Sequence, residues 1–259
     1  MIPLSAPHLV TGILTALVGA GLGPALAGLY PLFRATRPDD EEPPPGSCPR
    51  CAARVAWREP RTVLRAMAGR CHSCGEPIRR DTVGITIAAA AVLGLLGLRF
   101  GPAPELPAYL FLGAVAVLLT FIDARVKRLP DMFTLPAYPV ALLLLAAAAP
   151  FAHDGWAALL SALAGLVGLG LFYGLLWFIY PAGMGFGDVK LSGLLGLYLG
   201  WLGLGAVLYG AFAGFLFGTV VGVVLIALGR ATRRSAIPFG PYMIIGTLAV
   251  VLASPLLLA

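Results

Sequence analysis

Charged side chains are scarce in this chain. Only 12% of its 259 residues are Asp, Glu, Lys or Arg, against 59% hydrophobic residues and a mean hydropathy of +0.90. Soluble domains carry about twice that share of charge, so an ordinary water-soluble fold is excluded and a polytopic membrane protein is expected. The first ten residues, MIPLSAPHLV, hold no Lys or Arg. The apolar run behind them therefore lacks the basic start of a secretory signal and is expected to remain as a first membrane span, with nothing cleaved off. Acid is rarer still. Outside one polar loop, the only carboxylates are Glu105, Asp123, Asp131, Asp154 and Asp188. Cysteine occurs four times, always in that same loop.

What is abundant is long apolar sequence, punctuated by charge, Pro and Gly. Cutting at those marks gives an all-α fold of about eight spans of roughly 16 to 25 residues. They run near Leu9–Leu29, Val83–Leu98, Pro107–Ile122, Leu135–Phe151, Trp156–Tyr180, Val189–Leu202, Gly205–Leu228 and Gly240–Leu258. The cut inside YLGWLGLGAV has no charge to mark it. Counting basic residues on alternate sides supports it, because 17 of the 18 Lys and Arg then share one side and only Arg99 lies opposite. By the positive-inside rule that side is the cytoplasm, with both termini outside. The net charge of +6 is thus a topology signal, and nucleic acid is not an expected partner. Glycine-rich runs such as GLVGLGLFYGLL predict close helix packing, within one molecule or between two.

The polar loop, residues 32–82, separates the first span (1–31) from the membrane domain (83–259). It opens with PDDEEPPPG, an irregular acidic linker. CPRC (Cys48, Cys51) and CHSC (Cys71, Cys74) follow, with 19 residues between the pairs. That is zinc-ribbon spacing, each short turn aiming two sulfurs at one tetrahedral ion. Disulfides or free thiols are the alternatives, but a cytoplasmic loop is a reducing place, so a structural Zn2+ is the expectation. His72, inside CHSC, is read as a turn residue rather than a ligand.

Of the five remaining acids, Glu105 and Asp154 fall in short outer connections and read as solvated loop residues. Asp123, Asp131 and Asp188 all fall at the cytoplasmic face. Asp123 lies where the third span ends, in FIDARVKRLPD, and Asp188 where the sixth begins, in GMGFGDVKL. Two carboxylates meeting at one depth would share a proton, one activating water while the other donates to a carbonyl. Gly183, Gly185 and Gly187 would let a backbone approach closely, and Lys190 would add positive potential. The plainer readings are Asp188 as an N-cap, Lys190 as an interfacial side chain reaching for water, and Asp123 as a helix-end charge near Arg125.

At these residues the chain resembles the type IV prepilin peptidases, membrane-embedded GxGD aspartyl proteases. Four stretches match in the family's order: the paired CPRC and CHSC, FIDARVKRLPDMFTLP, GMGFGDVKLSGLLGLYLG, and IPFGPYMIIG. The resemblance implies that Asp123 and Asp188 are the catalytic aspartates, with Asp131 of the LPD element as the rival for the first role. It implies cleavage of a basic leader from a prepilin or a type II secretion pseudopilin, at the cytoplasmic face of the lipid bilayer. The cytoplasmic arginines would repel such a leader unless local acids met it, a task open to Asp39, Asp40, Glu41 and Glu42, whose plainer reading is a solvated linker. The resemblance also implies N-methylation of the new terminus with S-adenosylmethionine. Here the chain departs from the pattern: GLGPALAGLYPLFRATRP, with Pro24, replaces the family's early polar segment, and RRDTVGIT lacks the usual glutamate. S-adenosylmethionine is a cofactor only if that second activity is retained. An ion-coupled transporter and a noncatalytic zinc-bearing scaffold are the competing classes. No internal repeat supports the former, and the latter leaves the converging acids unexplained.

Overall fold

The computed structural model describes residues 5–29, 48, 51, 53, 59–68, 70–75, 82–127, 129–181, 184–230, 232 and 238–257. The helices among them are α1 (Ala6–Leu29), α2 (Pro60–Met67), α3 (Thr82–Phe100), α4 (Leu106–Val126), α5 (Asp131–Ala148), α6 (Gly155–Ile179), α7 (Phe186–Trp201), α8 (Leu204–Ala227) and α9 (Gly240–Leu257). Each of the eight expected spans has a helix. Six of them, α1, α3, α4, α5, α6 and α8, are long and apolar enough to cross a membrane, which makes this a multi-pass membrane protein. Helix α9 is apolar but shorter over Gly240–Ser254.

Helix α7 departs from the expectation of a full span. Its 16 residues extend roughly 24 Å, short of a hydrocarbon core of about 30 Å. Every residue from Leu191 to Trp201 is buried, along with Asp188. A helix wrapped by protein instead of lipid has its surroundings set by its neighbours, so bilayer thickness does not fix its length. The unmarked cut in YLGWLGLGAV is real. Helix α7 ends at Trp201, and Gly203, at φ +117°, turns the chain into α8.

The chain forms two compact units. One comprises Leu4–Gly101 and Gly113–Lys127. In it α1 and α3 run antiparallel with small residues at the seam: Gly12 lies at Leu98, Gly19 at the backbone of Ala89, and Gly23 at Thr86. The later part of α4 packs along α3, Gly113 against Leu96 and Phe121 near Gly84. Without water to drive association between helices, such close backbone approach supplies the dispersion contacts.

The other unit comprises Met1–Pro3, Pro102–Leu112 and Arg128–Ala259. Helices α6 and α7 are antiparallel and meet backbone to backbone, Gly165 on Gly196 and Gly200 on Ser161. Gly165, Gly170 and Gly174 of the glycine-rich run of α6 therefore face α7 within the molecule, while Gly168 faces open space. Helices α8 and α9 pair in the same manner, Gly214 and Gly246 facing each other. Large apolar side chains on the outward faces, Leu208, Phe212 and Phe178 among them, are exposed, as lipid-facing residues are.

Candidate active site and metal centre

The cysteine module follows from its turns. Cys48 N–H donates to Ala53 O at 2.9 Å, closing the first turn, and Gly75 N–H donates to Cys71 O at 3.1 Å, closing the second. Gly75 adopts φ +70°, a conformation that favours glycine directly after CHSC. Helix α2 stands between the turns, with Pro60 at its start. Arg65 holds it to the second turn through the His72 carbonyl at 3.3 Å. The four Sγ atoms lie within 4.8 Å of one another, Cys48 to Cys74 at 3.9 Å and Cys51 to Cys71 at 3.6 Å. His72 is not a member of this cluster. Burial opposes ionisation of Cys71. The backbone N–H groups of Cys74 and Ser73 and the Cys48 and Cys74 thiols outweigh it, bringing its pKa from 9.0 down to about 7. Four converging sulfurs, one readily ionised, form a group able to hold a metal ion.

Asp123 lies inside the last turn of α4, not beyond its end, and is 4% exposed. A solvated helix-end charge would not be buried this way. The helix stops one turn on, where Lys127 takes the left-handed conformation at φ 53° and its N–H donates to Asp123 O at 2.8 Å. The chain then enters the LPD element.

Asp188 belongs to the other unit. It is the third residue of α7 and 8% exposed. Its carboxylate accepts a hydrogen bond from the backbone N–H of Gly185, the N-cap residue. This is the return arm of a capping box: an acid at the third helical position satisfies the donor at the cap. The glycines now divide. A Cβ on Gly185 would face Asp188 Oδ2 at 3.7 Å, whereas one on Gly187 would meet Leu129 Cβ at 3.0 Å. Gly187 thus admits the LPD element against α7. Gly183 lies outside the described residues.

Lys190 does not stand alone. Its Nζ donates to both oxygens of Asp131, each at 2.7 Å, and sits over the Phe186 ring at 5.0 Å. Asp131 is the first residue of α5, after the N-cap Pro130, so it is not itself the cap. Two motifs 59 positions apart are joined by this pair.

Sequence reasoning missed three contributors. Tyr138 of α5 donates its hydroxyl hydrogen to the Lys190 carbonyl. Tyr173 of α6 lies within electrostatic reach of Asp188 and stacks on Phe215 at 5.5 Å. Phe215 in turn packs on Phe239 at 5.3 Å, which ties the IPFGPY stretch to the surroundings of Asp188. A tyrosine in the middle of an apolar span was the available signal, since a buried hydroxyl calls for a partner.

The profile of the type IV leader peptidase family matches residues 110–256. This chain belongs to that family. The match covers α5 to α8, nearly all of α4 and α9, and both Asp123 and Asp188. Peptidase chemistry is therefore its activity class. Curated relatives agree. A prepilin leader peptidase/N-methyltransferase of Aeromonas salmonicida is 33% identical over 226 residues, 81% of this chain and 73% of the relative. Proteins of the same description from Pseudomonas aeruginosa and Aeromonas hydrophila are 32% and 34% identical, over 78% and 80% of this chain and 69% and 74% of their own lengths. No solved structure matches the chain. The polytopic all-helical fold and the family expected from the four sequence stretches both hold.

Proposed function

We propose that this chain is an aspartic endopeptidase that removes the leader of a prepilin or pseudopilin, with Asp123 and Asp188 as its catalytic pair. The observation that carries the reading is Asp188: a buried carboxylate in the first turn of a protein-wrapped helix, inside the family-matched region. The Gly185 N–H meets one lone pair of this carboxylate and leaves the rest of its desolvation cost unmet, which a catalytic task would account for. With one proton shared between the two acids, the ionised member takes a proton from water. The hydroxide adds to the scissile carbonyl while the protonated member donates to its oxygen. Collapse of the tetrahedral intermediate breaks the C–N bond, and the proton held by the first acid passes to the leaving amine.

In this reading the chain lies in the inner membrane, and the 17 of 18 basic residues on one side support putting the chemistry at the cytoplasmic face. The leader is basic, and the acidic linker Asp39, Asp40, Glu41 and Glu42 that would meet it lies outside the described residues. In the cysteine module the metal is zinc. A tetrahedral ion with Zn–S bonds of about 2.3 Å sets sulfurs roughly 3.8 Å apart, and the 3.6 and 3.9 Å separations fit. Four thiolates leave no open coordination position, so this zinc is structural and ties the two cysteine turns together.

The test is cleavage of a prepilin-like peptide by the full chain in proteoliposomes. Asp123→Asn and Asp188→Asn should each abolish turnover while leaving the protein folded. Activity that survives the Asp188 change overturns the mechanism. Among the described residues nothing is assigned to S-adenosylmethionine. Of the two departing stretches, Pro24 lies within α1 and residues 82–86 open α3, while residues 30–38 and 79–81 lie outside the described residues. Methyl transfer is decided by adding labelled S-adenosylmethionine to the same reaction and counting label on the new N-terminus.

A further inference from the structure

Resting on the peptidase reading above, we infer that Asp131, Lys190 and Tyr138 form a two-point clamp from α5 onto the start of α7 that positions Asp188, and that Lys190 is a positioning residue. Three observations converge on it.

The first is the bridge. Lys190 Nζ reaches both Asp131 oxygens at 2.7 Å, a two-oxygen grip that fixes direction better than a single contact. Lys190 follows Asp188 by two residues, so whatever holds it holds the same helical turn. The second is Tyr138. Its hydroxyl donates to the Lys190 carbonyl and is also hydrogen-bonded to the Leu194 backbone, the two ends of one helical step. Gly193 leaves room for it, since a Cβ there would meet the Tyr138 oxygen at 2.5 Å. Asp131 and Tyr138 are seven residues apart on α5, two turns along one face, so they grip α7 from one side. The third is Leu129, which rests on Gly187 beside Asp188. Side-chain and main-chain atoms of residue 190 are thus both held by α5, with Asp188 between that clamp and the Gly185 cap.

The bridge has little else to do. Its side chains are 24% and 56% exposed, and a pair so open to solvent contributes little to stability. With its charge met by Asp131, Lys190 is not a free cation for a substrate to find. Precision is where such a contact acts: a displacement of about 1 Å at a reacting group lowers a rate on the order of a hundredfold.

The experiment compares the full chain with Lys190→Met, Asp131→Asn and the double variant, and with Lys190→Arg and Asp131→Glu. Peptide cleavage and thermal unfolding are both read in proteoliposomes. Each disruptive single variant should lower kcat by about 10- to 100-fold with KM within about twofold. The double variant should be no worse than either single one, because both remove the same link. The conservative variants should recover to within about threefold. Single variants with near-normal kcat, a loss carried by KM, additive losses in the double variant, or a loss matched by the unfolded fraction would each overturn the inference. Wild-type protein that leaves the peptide intact overturns instead the peptidase reading on which it rests.

Discussion

Gly165 of α6 and Gly196 of α7 meet backbone to backbone, each occupying the space where a Cβ on the other would go. A methyl group on Gly196 would press on the Gly165 carbonyl oxygen and stand 2.9 Å from Leu169 Cβ. Neither backbone can yield alone, because each is held in its own helical ladder. Gly196→Ala should therefore destabilise the protein by about 1–3 kcal/mol, as overpacking does. Thermal unfolding in detergent reads it, and cleavage should fall only in proportion to the unfolded fraction.

Tyr173 separates two contributions. Its ring stacks on Phe215 with the planes 8° apart, while its hydroxyl end belongs to the surroundings of Asp188. Tyr173→Phe keeps the stack and should leave stability within about 1 kcal/mol. Tyr173→Ala opens a cavity in a site that is 1% exposed and should cost about 3–5 kcal/mol. A lower kcat in the Phe variant at unchanged melting temperature would place the hydroxyl in the chemistry. An unchanged kcat would confine Tyr173 to packing.

For the cysteine module, metal analysis of the purified chain should give one zinc per molecule. Cys48→Ser and Cys71→Ser, each removing a buried ligand, should give none. Because binding energy is folding energy in so small a module, the same variants should make α2 (Pro60–Met67) protease-sensitive while the membrane helices stay intact. One zinc retained by either serine variant would contradict a four-thiolate site.

The sequence made the helices legible because lipid demands them: apolar runs of span length have to satisfy their own backbone groups. It misplaced their ends. Hydropathy falls before hydrogen bonding does, so α4 runs on through Asp123 and α7 begins at Phe186, ahead of the first apolar residues counted. The burial of α7 was not legible, since its leucines and glycines match those of helices that face lipid. The four cysteines were, because their spacing alone sets the turns. The Asp131–Lys190 bridge was hidden for the opposite reason. Each partner has an ordinary local explanation, a helix-start acid and an interfacial lysine, and only tertiary packing joins them.

Gly203 and Gly168 offer a matched pair of substitutions with opposite outcomes. A Cβ on either residue would meet nothing within 4 Å, so crowding cannot distinguish them. The backbone can. Gly203 sits at φ +117° and ψ 158°, a region essentially reserved for glycine, where it folds the end of α7 into α8. Any side chain there is strained, and Gly203→Ala should destabilise by about 1–3 kcal/mol. Gly168 lies within α6, where alanine is the better helix former, and Gly168→Ala should be neutral or stabilise by up to about 1 kcal/mol. The two variants, unfolded side by side in the same detergent, test whether the α7–α8 turn is made by backbone conformation. Equal melting temperatures would show that the chain reverses there by another means.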